Sequence, residues 1–154
     1  MKSFKYYITE IGDSAYPYKY EGSDDEGEYH HYSVKHPTDD KKNISVTIRH
    51  EYPEEEGGSH SAEVSFTREN DYSHDQKNDM STGESTKVFS TVHKIMKQHA
   101  ESNPNVSHFE FTSDKEMEPS RQSLYKRFTS RLGGSNKSVT GKNFNTHIIP
   151  TNNL

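Results

Sequence analysis

The 154-residue chain contains no cysteine and no tryptophan. The absence of cysteine excludes disulfides, thiolate metal ligands and a cysteine nucleophile, so any metal has to bind through histidine or carboxylate side chains. No run of 18 apolar residues occurs, and the N-terminal segment MKSFKYYITE lacks the apolar region of a signal peptide. We therefore expect a cytoplasmic protein that does not enter a membrane.

Large apolar side chains are also scarce. Leucine, isoleucine, valine and phenylalanine together make up 24 residues, about 16% of the chain, a proportion that on its own favours disorder. Ten tyrosines add amphipathic surface, and the net charge is only -5. The chain length fits one domain over residues 1–154, provided that the few apolar residues lie on regular faces.

Charge is divided unevenly along the chain. Residues 1–83 contain 9 basic and 18 acidic side chains, whereas residues 84–154 contain 10 and 6. The acidic part argues against a broad nucleic-acid interface, and the basic part would attract a phosphate-bearing ligand or an acidic partner. The C-terminal basic stretch with interleaved aromatics is interpreted as an exposed helix face followed by a loop, with a nucleic-acid patch as the alternative.

Residues 1–68 form a strand-rich, acidic part. Apolar residues alternate with polar ones in the segment 44–48 and again at Ala62, Val64 and Phe66, as in strands with one buried face. Further strands are predicted at 4–8, 15–20 and 29–34. The charged, glycine-containing segments 21–28 and 54–58 predict hairpin loops and hence an antiparallel meander.

Residues 83–132 have a helix–strand–helix pattern, and 69–82 is predicted to be a loop. The first helix has an apolar stripe formed by Val88, Phe89, Val92, Ile95, Met96 and His99, and it ends before Pro104. A strand at 106–111 and a helix from Pro119 follow, and residues 133–154 form a loop with a last strand at 144–149. The predicted fold class is α+β: a mostly antiparallel sheet with two main helices, in which the crossover makes two strands parallel.

The segments Thr82-Gly83, 88–92 (VFSTV), 109–113 (FEFTS), 119–121 (PSR) and Leu124-Tyr125 resemble a family of small bacteriophage proteins. That family is related in layout to GNAT-type N-acetyltransferases. The resemblance covers about a third of the chain and implies a GNAT-like single domain, encoded by a phage and acting in the host cytoplasm.

The resemblance implies that acetyl-CoA binds where the loop enters the first helix. Its pyrophosphate would contact Thr82, Gly83, Ser85 and Thr86, with Arg121 as a further anion contact. Considered as residue types alone, the same serines and threonines are also typical of an ordinary helix cap. Arg121, near the start of its own helix, has two further interpretations: a bridge to an acidic loop or a contact with a protein partner.

Tyr125 matches the family tyrosine that protonates the leaving thiolate, and Glu63 is the candidate general base for an amine acceptor. From its position beside Leu124 and Phe128, Tyr125 is equally interpretable as a core tyrosine. The chain departs from the family signature at Met80, Ser85, Glu118, Arg121 and Thr129. These departures favour an alternative function, a non-catalytic GNAT-fold protein that binds a host factor or is a virion component.

Ten histidines raise the possibility of a metal site. None of them has the H-x-H or H-x-x-x-H spacing of ligands on one element, and His30 and His31 are adjacent and so lie on opposite faces of a strand. We therefore predict polar surface histidines and no metal.

Overall fold

The computed structural model describes residues 15–68, 82–114, 119–138 and 143–154. Within these ranges, seven strands and two helices follow one another. They are β1 (Tyr18–Ser23), β2 (Tyr29–Val34), β3 (Ile44–Glu51), β4 (His60–Arg68), α1 (Thr82–Ser102), β5 (Val106–Asp114), α2 (Pro119–Arg131), β6 (Ser135–Ser138) and β7 (Phe144–Pro150). Two short 3-10 turns lie at Asp40–Lys42 and Thr151–Asn153.

The seven strands form a single sheet in the order β1-β2-β3-β4-β5-β7-β6. Strands β1 to β4 pair as an antiparallel meander, and β5, β7 and β6 pair antiparallel as well. The pairing of β4 with β5 is parallel, since α1 returns the chain to the same end of the sheet. The predicted α+β class, the meander and the parallel crossover are confirmed.

One face of the sheet holds the core. The alternation in β3 buries Ile44, Val46 and Ile48, and the stripe of α1 packs on them through residues such as Val92 and Ile95. Helix α2 packs on the same face, because the ring of Phe128 lies 5.8 Å from that of Phe111. The opposite face carries polar side chains such as Thr47, Arg49, Glu63 and Glu110. Few apolar residues suffice because they are concentrated on this one face.

The C-terminal segment differs from the prediction of a loop between residue 133 and the last strand. Strand β6 forms here as a short edge strand on β7. Helix α2 ends in a left-handed turn, in which Gly133 has φ +66° and the Gly134 N–H donates to the Thr129 carbonyl at 2.9 Å. This turn directs the chain back along β7.

Some predicted boundaries shift, and some predictions are outside the described residues. Strand β1 begins at Tyr18, three residues later than expected. The predicted strand at 4–8 and nearly all of the predicted loop at 69–82 lie outside the described part of the chain. Neither of the helices in the described ranges is long and apolar enough to cross a membrane.

Candidate functional site

Strands β4 and β5 part after a short stretch of pairing. Their parallel register ends at Glu63 and Glu110, although β4 stays paired with β3 as far as Arg68, and β5 with β7 as far as Asp114. The sheet therefore opens between the carboxyl ends of its two parallel strands. In α/β sheets, ligands bind preferentially at openings of this kind.

An aromatic cluster bridges this opening on the helical face. It consists of Phe66, Phe89, Phe111, Tyr125, Phe128 and His147. The Tyr125 ring lies 6.2 Å from the ring of Phe66 on β4 and 6.1 Å from that of Phe111 on β5. The half-buried Tyr125 thus spans both sides of the opening, which fits the core interpretation and also places its side chain where a ligand in the opening would lie.

A cavity of about 220 Å³ lies between α1 and α2, and we call it the interhelical cavity. It is lined by Thr86, Phe89, His93, Leu124, Arg127, Phe128, Arg131, Leu132, Asn153 and Leu154. Five of these ten side chains are apolar, two are exposed arginines, and none is an Asp or Glu side chain. Phe89 also belongs to the aromatic cluster, so the cavity adjoins Tyr125. Its chemistry suits an apolar ligand that carries negative charge.

The predicted cofactor residues lie near this cavity only in part. Thr86 lines it. Thr82, Gly83 and Ser85 belong to the first turn of α1, and Arg121 belongs to the first turn of α2, but their side chains lie outside the described part of the structure. Met80 and Glu118 fall outside the described residues altogether.

The second predicted catalytic residue, Glu63, lies at the point where β4 and β5 part. Strand alternation places it on the opposite face of the sheet from Phe66, whose ring contacts Tyr125. Its carboxylate lies 3.6 Å from a guanidinium nitrogen of Arg49. The two predicted catalytic side chains therefore border the same opening from opposite faces of the sheet.

A second group of polar side chains, the histidine cluster, lies at the other end of β4. It consists of His30 on β2, His50 on β3, His60 on β4 and His99 on α1. The Nε2 atoms of His50 and His99 are 2.7 Å apart, and His50 Nδ1 is 2.8 Å from His60 Nε2. His50 and His99 are buried, with exposed fractions of 3% and 1%.

Tyrosine hydroxyls lie within hydrogen-bond distance of the Nδ1 atoms of two of these rings. Tyr32 Oη lies 2.9 Å from His99 Nδ1, and Tyr20 Oη lies 2.9 Å from His30 Nδ1. Burial raises the pKa of Tyr32 to about 12, with smaller contributions from Tyr20 and Tyr18. The Tyr32 hydroxyl therefore keeps its proton in neutral solution.

Burial in the cluster disfavours protonation of His50 and His99. Burial, followed by the neighbouring His30 and His60, lowers the pKa of His50 to about 4. Burial also lowers the pKa of His99 to about 3, with further contributions from the other three histidines. A series of hydrogen bonds runs from Tyr32 through His99 and His50 to His60. Each contact needs one donor and one acceptor, and a neutral imidazole supplies one of each.

The prediction of surface histidines is wrong for His50, His99 and also His147, which are all buried. A signal for the cluster was present in the strand alternation. His50 follows Ile44, Val46 and Ile48 at the same period of two, His30 precedes Tyr32 and Val34, and His60 precedes Ala62 and Val64. His99 ends the apolar stripe of α1. A search for spacing within one element missed the cluster because each histidine comes from a different element.

Neither a protein-family model nor a curated protein matches the chain.

Proposed function

We propose that this chain is a GNAT-like protein that binds acetyl-CoA and transfers its acetyl group to an amine. The main support for this proposal is the interhelical cavity. It combines an apolar lining with Arg127 and Arg131, and it adjoins Tyr125 at the opening between β4 and β5. The order of strands and helices supports the proposal, because α1 connects β4 to the parallel strand β5 and the two strands form an opening at which a ligand can bind.

The residues of the cavity match the two parts of such a ligand. Phe89, Leu124 and Phe128 supply apolar contacts for a pantetheine chain, and the two arginines lie where phosphate groups would be neutralised. Thr86, in the second turn of α1, adds a hydroxyl near the positive end of the helix dipole. Acetyl-CoA supplies an activated acetyl thioester.

Two side chains would move the protons of the transfer. The Tyr125 hydroxyl donates a proton to the thiolate that leaves, and the Glu63 carboxylate accepts a proton from the amine. Because Glu63 lies on the opposite face of the sheet from the cavity, the amine acceptor approaches from that face. Arg49, whose guanidinium lies 3.6 Å from the carboxylate, is the ion-pair partner of Glu63 on that face.

Calorimetric titration with acetyl-CoA tests the binding step. We expect saturable binding at micromolar ligand, and at least about tenfold weaker binding in Arg127→Glu, since this change reverses one charge at the cavity. Lys94→Glu is the matched control, because Lys94 is an exposed residue of α1 outside the cavity lining and the net charge changes equally. No heat at millimolar ligand, or equal weakening in both variants, contradicts the proposal.

Release of free CoA thiol with a panel of primary amines tests the transfer step. Tyr125→Phe should retain acetyl-CoA binding and lower the rate about 100-fold or more, as expected for loss of a general acid. Binding without thiol release by the unmodified protein would instead favour the non-catalytic alternative, in which the same fold acts on a host factor or in the virion.

A further inference from the structure

Three residues of the histidine cluster lie close enough together to share one metal ion. We propose that His30, His50 and His99 bind one Zn²⁺ through their Nε2 atoms and leave the fourth position to solvent or to a ligand. One ring nitrogen of each of the three side chains lies within 4.8 Å of the other two. These side chains come from β2, β3 and α1, so the fold brings the ligands together from three elements.

The spacing of the three rings fits tetrahedral zinc. Zn–N bonds of about 2.0–2.1 Å place ligating nitrogens about 3.3 Å apart and the ring centres about 5 Å apart. The ring centres of His30, His50 and His99 form a nearly equilateral triangle, with separations of 4.8, 4.7 and 4.9 Å. Small side-chain rotations therefore suffice to aim the three rings at one ion.

Each of the three histidines has a hydrogen-bond partner at Nδ1, the nitrogen that would not bind the metal. Nδ1 lies 2.9 Å from the Tyr20 hydroxyl in His30, 2.8 Å from Nε2 of His60 in His50, and 2.9 Å from the Tyr32 hydroxyl in His99. Metal-bound histidines nearly always donate their other N–H in this way, which fixes the ring and its tautomer. The Nε2 atoms of His50 and His99 face one another, and His30 Nε2, which lies 3.1 Å from the Gly27 carbonyl oxygen, turns toward them when the ion binds.

Metal binding would replace hydrogen bonds that the Nε2 atoms make in the metal-free protein. The His50 Nε2 to His99 Nε2 hydrogen bond of 2.7 Å and the 3.1 Å bond from His30 Nε2 to the Gly27 carbonyl would be lost. Each ring then carries its single proton on Nδ1 and donates it to the outer partner, so neutral imidazoles release no net proton. The hydrogen bonds that the Nε2 atoms make in the metal-free protein are exchanged for three Zn–N bonds.

The choice of metal follows from the ligands. Three neutral imidazoles without thiolate suit zinc, copper, nickel or cobalt rather than calcium or magnesium, which need oxygen ligands. Three protein ligands with an open fourth position are typical of zinc sites that hold an exchangeable water. His30 is partly exposed, so solvent has access to this position.

The proposed centre is separate from the opening at which Tyr125 lies. His60 begins β4 and His99 lies in the last turn of α1, whereas the opening follows Glu63 at the far end of β4. Zinc binding and acetyl-CoA binding can therefore be measured independently.

Titration of the EDTA-treated, dialysed protein with zinc tests the proposal, with calorimetry for affinity and elemental analysis for stoichiometry. We expect one zinc per chain and submicromolar affinity, and the cobalt form should show the intense visible absorption of tetrahedral Co²⁺. His30→Ala should weaken zinc binding at least 100-fold. His31→Ala is the matched control, because His31 is the exposed neighbour on the opposite face of β2 and should leave binding unchanged.

Circular dichroism of each variant checks that it is folded. His30 is the safest ligand to replace, since His50 and His99 are more deeply buried. A second variant, Tyr20→Phe, keeps all three ligands and should weaken zinc about tenfold through loss of the outer hydrogen bond. Equal zinc binding by the folded His30→Ala and His31→Ala proteins, or octahedral cobalt spectra, would overturn the proposal.

Discussion

Replacement of Tyr32 by phenylalanine removes one oxygen atom from the centre of the fold. The Tyr32 hydroxyl lies 2.9 Å from His99 Nδ1, and the two side chains are 4% and 1% exposed. Because water cannot reach His99 in the folded protein, its Nδ1 would be left without this partner. A buried polar atom that loses its hydrogen bond costs about 1–3 kcal/mol, so we expect the free energy of unfolding to fall by about 2 kcal/mol.

Urea denaturation followed by circular dichroism measures this loss, with EDTA present to keep the protein free of metal. Tyr52→Phe is the matched control, because the Tyr52 side chain is 60% exposed and its change should stay within about 0.5 kcal/mol. If zinc binds as proposed, Tyr32→Phe should also weaken zinc about 10–100-fold. A Tyr32→Phe protein as stable as the unmodified one would show that the hydrogen bond between Tyr32 and His99 is absent in solution.

Two further predictions concern stability. A Cβ at Gly134 would overlap the Ile148 carbonyl oxygen, so Gly134→Ala should lower the free energy of unfolding by about 1–3 kcal/mol in a urea titration. Ser135→Ala is the control, because Ser135 is exposed and its replacement should change the free energy of unfolding little. Burial, and then Lys126, lower the pKa of His147. An unfolded histidine titrates at about pH 6.5, so the contribution of neutral His147 is complete above that pH and is lost as the pH falls below it. Urea midpoints measured across this range should therefore depend less on pH in His147→Gln, and an unchanged pH dependence would contradict the assignment.

The elements of the core were predictable from the sequence because their apolar residues repeat with a clear period. The alternation at Ile44, Val46 and Ile48 and the helical stripe from Val88 to His99 are both confirmed. Strand β6 was not predictable in this way, since Ser135–Ser138 has no apolar residue and is held by backbone pairing to β7. Edge strands with polar side chains carry no hydrophobic period.

The candidate sites could not be predicted from the sequence, because each is formed by contacts between elements that are far apart along the chain. The interhelical cavity joins Thr86 to Arg131 and Leu154, and only the packing of α1 and α2 shows that these residues share a space. The histidine cluster likewise joins residues 30 and 99. Sequence spacing can predict a site only when its residues lie on the same helix or strand. The residues of the cavity and of the histidine cluster come from several different elements.

Hydrogen–deuterium exchange with and without acetyl-CoA most directly tests the central claim that the interhelical cavity binds this ligand. We expect slower exchange in the peptides that cover residues 86–93 and 124–132, which contain most of the cavity lining, and unchanged exchange around the histidine cluster at residues 29–34. Equal exchange in both states at saturating acetyl-CoA, or protection confined to the histidine end of the sheet, would contradict it.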